Sequence, residues 1–419
     1  MFEIEQVLGR QVLDSRGNPT VEVDVFTGCG FGRAIVPSGA STGSHEALEL
    51  RDNDKRFGGK SVSKAVGNVN TVISKEIIGF DVRAQRDVDK ALIELDGTPN
   101  KSNLGANAIL GTSMAIARAA ANSANMHLYK YLGGPSAHTL PVPLMNVING
   151  GAHAGNALAI QEFFVIPTGA ETFADGLRMG VETYHQLKSV LQSEYGRGAI
   201  NVGDEGGFAP PLRMASEALD AIMIAVHKAG YDQEIRVGLD CAASEFYQTE
   251  NKSYLVEGNR LSAAELSEYY ENLIEQYPIM LIEDPFEEEA YDDFSRFTAR
   301  LKNIKVVGDD LFVTNVKRLA KGISMGAANT LLLKLNQIGT MSESFDAATL
   351  AFKNGYSVVV SHRSGETEDS TIADVSVALG SEFIKAGAPA RSDRNAKYNQ
   401  LLRIQEYLGN AASYQGRGL

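Results

Sequence analysis

Between residues 235 and 360 the chain carries a series of short apolar runs, each closed by a polar or charged residue. Residues 235–239 lead into Asp240, 279–282 into Glu283, 304–307 into Gly308 and Asp309, 330–333 into Lys334, and 356–360 into Ser361 and His362. Successive closing residues lie 43, 26, 25 and 28 positions apart. Roughly 25 residues is what one strand, one helix and two short loops require. The repeated unit predicts an α/β architecture, either a parallel sheet or a closed barrel. In α/β barrels the reactive groups sit at the C-terminal ends of the strands, which is where all these residues fall.

The preceding part of the chain has a different texture. Val21, Val23 and Val25 alternate with Glu22 and Asp24, the pattern of a half-buried strand. Residues 37–44 (PSGASTGS) predict a mobile loop, and the Ala-rich stretch 104–123 a buried helix. The Gly- and Pro-punctuated stretch 133–141 predicts a linker, so two domains are expected, 1–133 and 141–419. A length of 419 residues accommodates one small domain and one barrel. With 44% hydrophobic and 22% charged residues, wholesale disorder is excluded.

Charge narrows the function. The balance is 39 basic against 52 acidic residues, net −13, the wrong sign for a nucleic-acid or membrane-surface binder. An anionic substrate must then be held by a local cluster of cations or by metal ions. Only two cysteines, Cys29 and Cys241, are present, which suits a reducing compartment. The N-terminus has no basic segment followed by an apolar one, so no signal peptide is expected. No apolar run is long enough to span a membrane, and the Asn100 and Asn251 sequons are chance matches. The expected location is cytoplasmic.

Asp240, Glu283 and Asp309 each follow an apolar strand. Three oxygen ligands at successive strand ends suit a hard cation such as Mg2+, whereas a single acid there would read as a helix cap. Lys334 closes a wholly apolar run. Desolvation and a nearby dication would both lower its pKa and make it a candidate general base or Schiff-base lysine; the alternative is a snorkelling lysine paired with a buried acid. Residues 361–367 (SHRSGET) place an imidazole, a guanidinium and hydroxyls after a buried strand. Arg363 there suits a phosphate or carboxylate taken bidentately, with Ser364 adding a donor. Glu205 and Glu162 sit in Gly-rich or apolar surroundings that can raise a carboxyl toward a general acid. His153, in a Gly-rich loop, reads as structural when taken alone. The acidic run 287–289 reads as a solvated loop or helix start, and Cys241 as a small buried filler. Neither a dinucleotide fingerprint, a P-loop nor a G-x-S-x-G elbow is present.

Several longer segments carry a resemblance. DSRGNPTVEV (14–23), PSGASTG (37–43), NVINGGAHAGN (146–156), QEF (161–163), NVGDEGGFAP (201–210), GLDCAASEF (238–246), IEDPF (282–286), GDDLFVTN (308–315), LLLKLNQIGT (331–340), SHRSGETED (361–369) and IKAGAPARSDR (384–394) occur in order over essentially the whole chain. Together they resemble the enolase family. The resemblance implies a smaller N-terminal α+β domain followed by an irregular eight-stranded TIM-like barrel of ββαα(βα)6 type. It implies a glycolytic lyase, a phosphopyruvate hydratase that reversibly dehydrates 2-phospho-D-glycerate to phosphoenolpyruvate with two Mg2+ ions. Carried over by position, Asp240, Glu283 and Asp309 would ligate the first Mg2+ and Ser41 the second. Lys334 would be the base and Glu205 the acid, assisted by Glu162. His153 and Lys385 would contact substrate, and Arg363 and Ser364 would hold its phosphate beside His362. A homo-oligomer, dimer or octamer, is also implied. Two other readings remain: a Schiff-base aldolase using Lys334, which leaves three strand-end acids unexplained, and a non-catalytic binding protein of the same fold.

Overall fold

The computed structural model of the chain describes all residues except 40–42, 152–153 and 419, with only the backbone described at 417–418. Three strands open the chain as an antiparallel meander: β1 (Ile4–Leu13), β2 (Pro19–Thr27) and β3 (Phe31–Ile35). The predicted Ala-rich helix spans Ala106–Ser123 and packs across β2 and β3. Small residues permit that approach: a Cβ on Gly32 would lie 2.0 Å from the Ala115 carbonyl oxygen. The expected half-buried strand is instead buried on both faces. Glu22 and Asp24 are 7% and 2% exposed because Arg10 and Arg33 lie over them. Burial alone would raise the Asp24 carboxyl. Hydrogen bonds from Arg33 (2.7 Å) and Arg10 (2.5 Å) win and hold it below its ordinary value.

The stretch read as a linker is structured. Helix Leu128–Gly133 is followed by the single turn Gly134–Ser136, and Thr139–Leu140 pairs in parallel with Ser413–Tyr414 near the end of the chain. Gly and Pro set the turns, but the backbone donors and acceptors still find partners.

Eight strands then close a barrel: β4 (Val142–Asn149), β5 (Glu162–Ile166), β6 (Arg236–Asp240), β7 (Ile279–Glu283), β8 (Lys305–Gly308), β9 (Thr330–Leu333), β10 (Ser357–Ser361) and β11 (Phe383–Lys385). Strand β5 is antiparallel to both β4 and β6; all other pairings are parallel. Helices Phe173–Tyr195 and Ala215–Ala229 separate β5 from β6, and one main helix follows each later strand. This is the expected ββαα(βα)6 order. Leu144, Phe164, Leu281, Val307, Leu332, Val359 and Phe383 fill the barrel interior and are fully buried. Among the described residues no helix is long and apolar enough to cross a membrane.

Candidate active site

The alternation of side chains along a strand places the site. Leu281, Val307, Leu332 and Phe383 point into the barrel and form its floor. Two residues further on, Glu283, Asp309, Lys334 and Lys385 share the same inward face, one layer nearer the C-terminal mouth. Glu162 obeys the rule in reverse. Because β5 is antiparallel, its first residue lies at that mouth, paired in register with Asp240. Glu162, Glu205, Asp240, Asp309, Lys334, His362, Arg363, Ser364 and Lys385 all line one cavity there. Glu283 lies beneath it, fully buried. Ser41 and His153 lie outside the described residues.

Lysines knit the acids together. Lys385 Nζ donates to Asp240 Oδ2 at 2.7 Å and to Glu283 Oε1 and Oε2 at 2.8 and 3.0 Å, with Glu162 Oε2 at 3.4 Å. It also sits over the Phe164 ring, 5.2 Å from the centroid. Burial would lower its pKa, but the surrounding carboxylates push it well above the ordinary lysine value. Lys334 Nζ pairs with Asp309 Oδ2, and Gln337 Nε2 donates to Asp309 Oδ1 at 2.7 Å. This matches the alternative kept for Lys334, a lysine paired with a buried acid. Burial does pull it down, yet Asp309 outweighs that and the net shift is upward.

The three acids expected as one ligand set are therefore shared between two ammonium groups. Their chemistry fits a hard cation: buried carboxylate oxygens already arranged around positive charge. Glu283 makes the same point. Burial, then neighbouring Asp240, pushes its carboxyl well up, so added positive charge is what would keep it ionised. A second grouping contains Asp309 with Asp284 and Asp310, one oxygen of each lying within 4.8 Å of the others. Asp284 accepts the backbone N–H groups of Asp309 and Asp310 at 2.9 and 2.8 Å and so shapes that turn. Burial and Asp309 raise Asp310 to about 7.

Across the mouth, the Arg363 fork closes on Glu46, Nη1–Oε2 at 2.8 Å and Nη2–Oε1 at 3.1 Å, with Asn336 Oδ1 accepting at 3.0 Å. His362 is buried, and burial lowers its pKa to about 4, so the ring is neutral at pH 7. Its Nε2 is 3.3 Å from Glu205 Oε2, which also accepts from Asn146 Nδ2 at 3.1 Å. The acidic run 287–289 is not merely solvated, as expected, but grips the segment after the Gly/Ser loop. Glu288 accepts from the Ser44 hydroxyl, and Glu289 contacts His45 Nε2 at 2.8 Å. Cys241 is fully buried, with its thiol pushed up by burial, in keeping with a filler.

Sequence reasoning missed Glu46, Asn146, Gln337 and Arg394. Each lies within or just beyond a quoted segment, but only the fold shows which site group it touches. Around the barrel, β9, which Lys334 directly follows, stands four strands from β5 in the closed order. Lys334 and Glu162 thus stand on opposite sides of the mouth, while Glu205, lining the same cavity, reaches Asn146 of β4 and His362. Such an arrangement can move protons on two faces of one bound anion.

Comparison with known proteins agrees along the whole length. The family model described as the enolase N-terminal domain matches residues 4–132, and that of the enolase C-terminal TIM barrel domain matches residues 137–419. A protein named enolase from Methanosarcina barkeri is 63% identical over 415 residues, covering 99% of this chain and 96% of that one. The enolase of Methanocaldococcus jannaschii is 62% identical over 417 residues, covering 99% and 98%. That of Thermococcus gammatolerans is 60% identical over 419 residues, covering 99% and 97%. The aldolase and non-catalytic readings fall away, and the chain belongs to the enolase family.

Proposed function

We propose that this enzyme reversibly dehydrates 2-phospho-D-glycerate to phosphoenolpyruvate, using two Mg2+ ions. The observation that carries the reading is that Lys334, Glu205 and Arg363 line one cavity at the barrel mouth, together with the buried carboxylates. Lys334 takes the proton α to the substrate carboxylate. The electron pair left behind forms the new double bond as the β-hydroxyl departs. Glu205 protonates that hydroxyl from the other side, so water leaves, and Glu162 assists. Lys385 provides positive charge at the substrate carboxylate, where the intermediate becomes a dianion. Arg363 and Ser364 hold the phosphate; the two-point contact of Arg363 with Glu46 is the geometry a phosphate would use. His362 lies beside them, and His153 completes the substrate contacts.

Asp240, Glu283 and Asp309 would hold the first Mg2+, and Ser41 the second. Bound Mg2+ would supply fixed positive charge where negative charge develops on the substrate. The ion pair with Asp309 keeps Lys334 protonated, so Lys334 becomes a base only once that carboxylate is drawn elsewhere. The working unit in this reading is a cytoplasmic homo-oligomer whose chain divides into domains 1–133 and 141–419.

The test is the absorbance of phosphoenolpyruvate formed from 2-phosphoglycerate. Formation that requires Mg2+ and is abolished by EDTA supports the reading. Turnover that persists in EDTA would overturn it.

A further inference from the structure

Arg394 has no role in the chemistry assigned above, yet it is fully buried and every Nη hydrogen is committed. Nη1 donates to His362 Nδ1 at 2.5 Å and to the Arg363 carbonyl at 2.6 Å. Nη2 donates to the carbonyls of Ser364 at 2.6 Å and Asp204 at 3.1 Å. Nε faces Asp393 Oδ2 at 2.8 Å. The guanidinium is planar and locked on both sides, tying the 361–364 segment to the residue before Glu205.

A guanidinium has no acceptor and does not lose its proton. His362 Nδ1 must therefore present its lone pair to Arg394. The single proton of the neutral ring then belongs to Nε2, the nitrogen 3.3 Å from Glu205 Oε2. At that distance the contact is not yet an aligned hydrogen bond, but catalytic bonds often tighten only with substrate in place. Glu205 Oε2 also receives Asn146 Nδ2.

We propose that Arg394 is a positioning residue that fixes His362 as the Nε2–H tautomer, so that the ring presents an N–H, not a lone pair, to Glu205 Oε2. The effect on catalysis rests on Glu205 being the acid; the tautomer does not. Reversing the tautomer would aim a lone pair at a carboxylate oxygen and a second N–H at a cation. Both are repulsive in a buried site.

The primary test uses the whole wild-type enzyme with 15N-labelled histidine and long-range proton–nitrogen spectra at pH 7. The His362 signals are identified by their loss in His362→Gln. Protonated Nε2 and bare Nδ1 support the proposal. An Nδ1–H ring, an averaged mixture or an imidazolium overturns it, whatever the role of Glu205. The second test is Arg394→Lys, which keeps the charge but cannot serve all four acceptors. It should mix the His362 tautomers and lower kcat by about 10–100-fold, with KM for 2-phosphoglycerate changed far less. An unchanged kcat in a folded Arg394→Lys enzyme would overturn the link to catalysis, provided Glu205→Gln has lost dehydration. If Glu205→Gln still dehydrates, the acid assignment has failed, while the tautomer is still decided by the nitrogen spectra. His362→Gln, whose amide can accept from Arg394 while donating to Glu205, should retain more activity than His362→Leu. Equal loss in the two counts against the proposal.

Discussion

At Lys334 burial and charge pull in opposite directions, and the partner decides. Asp309 holds the ammonium charged although the site is buried. This makes separable predictions for the two sides of the mouth. Lys334→Ala should lose both dehydration and exchange of the substrate α-proton with D2O. Glu205→Gln should lose dehydration but keep some exchange, because the carbanion can still form. Losses of about 10²–10⁴-fold are typical for one acid or base. Proton NMR of 2-phosphoglycerate in D2O reads both; normal exchange in Lys334→Ala with none in Glu205→Gln would swap the roles. Asp309→Asn removes one anionic donor from the carboxylate set and should weaken Mg2+ binding, measured by titration calorimetry. Unchanged affinity would remove Asp309 from the ligand assignment. At this scale the chain was partly legible. Asp240, Glu283, Asp309 and Lys334 announced themselves by ending apolar runs. Glu46 and Arg394 did not, because their meaning lies in what they touch, Arg363 and His362, more than 30 positions away or across segments.

Elements were read well where one periodicity dominated. The apolar runs became β6 to β10, and the residue two past each floor side chain reached the mouth. The β2 reading erred on its second face. Alternating Val with Glu and Asp looks half-exposed, yet Arg10 and Arg33 from the neighbouring strands close over the acids. Packing of helix Ala106–Ser123 on β3 depends on Gly32, where a Cβ would meet backbone atoms of Ala115 and Ala119 at 2.0 and 2.4 Å. Backbone atoms cannot rotate away as a side chain can. Gly32→Ala should therefore cost at least about 1–3 kcal/mol, the usual range for overpacking. Urea unfolding should show a lower midpoint; an unmoved midpoint would mean the helix yields without strain.

Over the whole molecule, buried charges join segments distant in sequence and set the response to pH. Asp374, on helix Thr371–Leu379, accepts the Tyr129 backbone N–H at 3.2 Å and contacts Gln400. Burial raises its carboxyl to about 6, against an ordinary 3.8. The folded state thus binds this proton more tightly than the unfolded one. The contribution is most favourable below about pH 4 and is lost as pH rises through 6. Asp374→Asn keeps an acceptor without the charge and should gain about 2 kcal/mol on wild type between pH 4 and 7. A stability difference that stays flat over that range, by urea unfolding, would refute it. Sedimentation should find an assembly larger than one 45.1 kDa chain, a dimer at least; a lone monomer at micromolar concentration would end that expectation. The sequence alone determined the βα repeat, the inward acids and lysine, and the family they resemble, because strand periodicity and strand-end chemistry are local. Tertiary structure decided which charges meet. Only barrel closure, with β5 reversed, brings Glu162 beside Asp240, sets Lys385 among the acids and stands Lys334 opposite Glu162. Those pairings depend on distances through space that no spacing along the chain encodes.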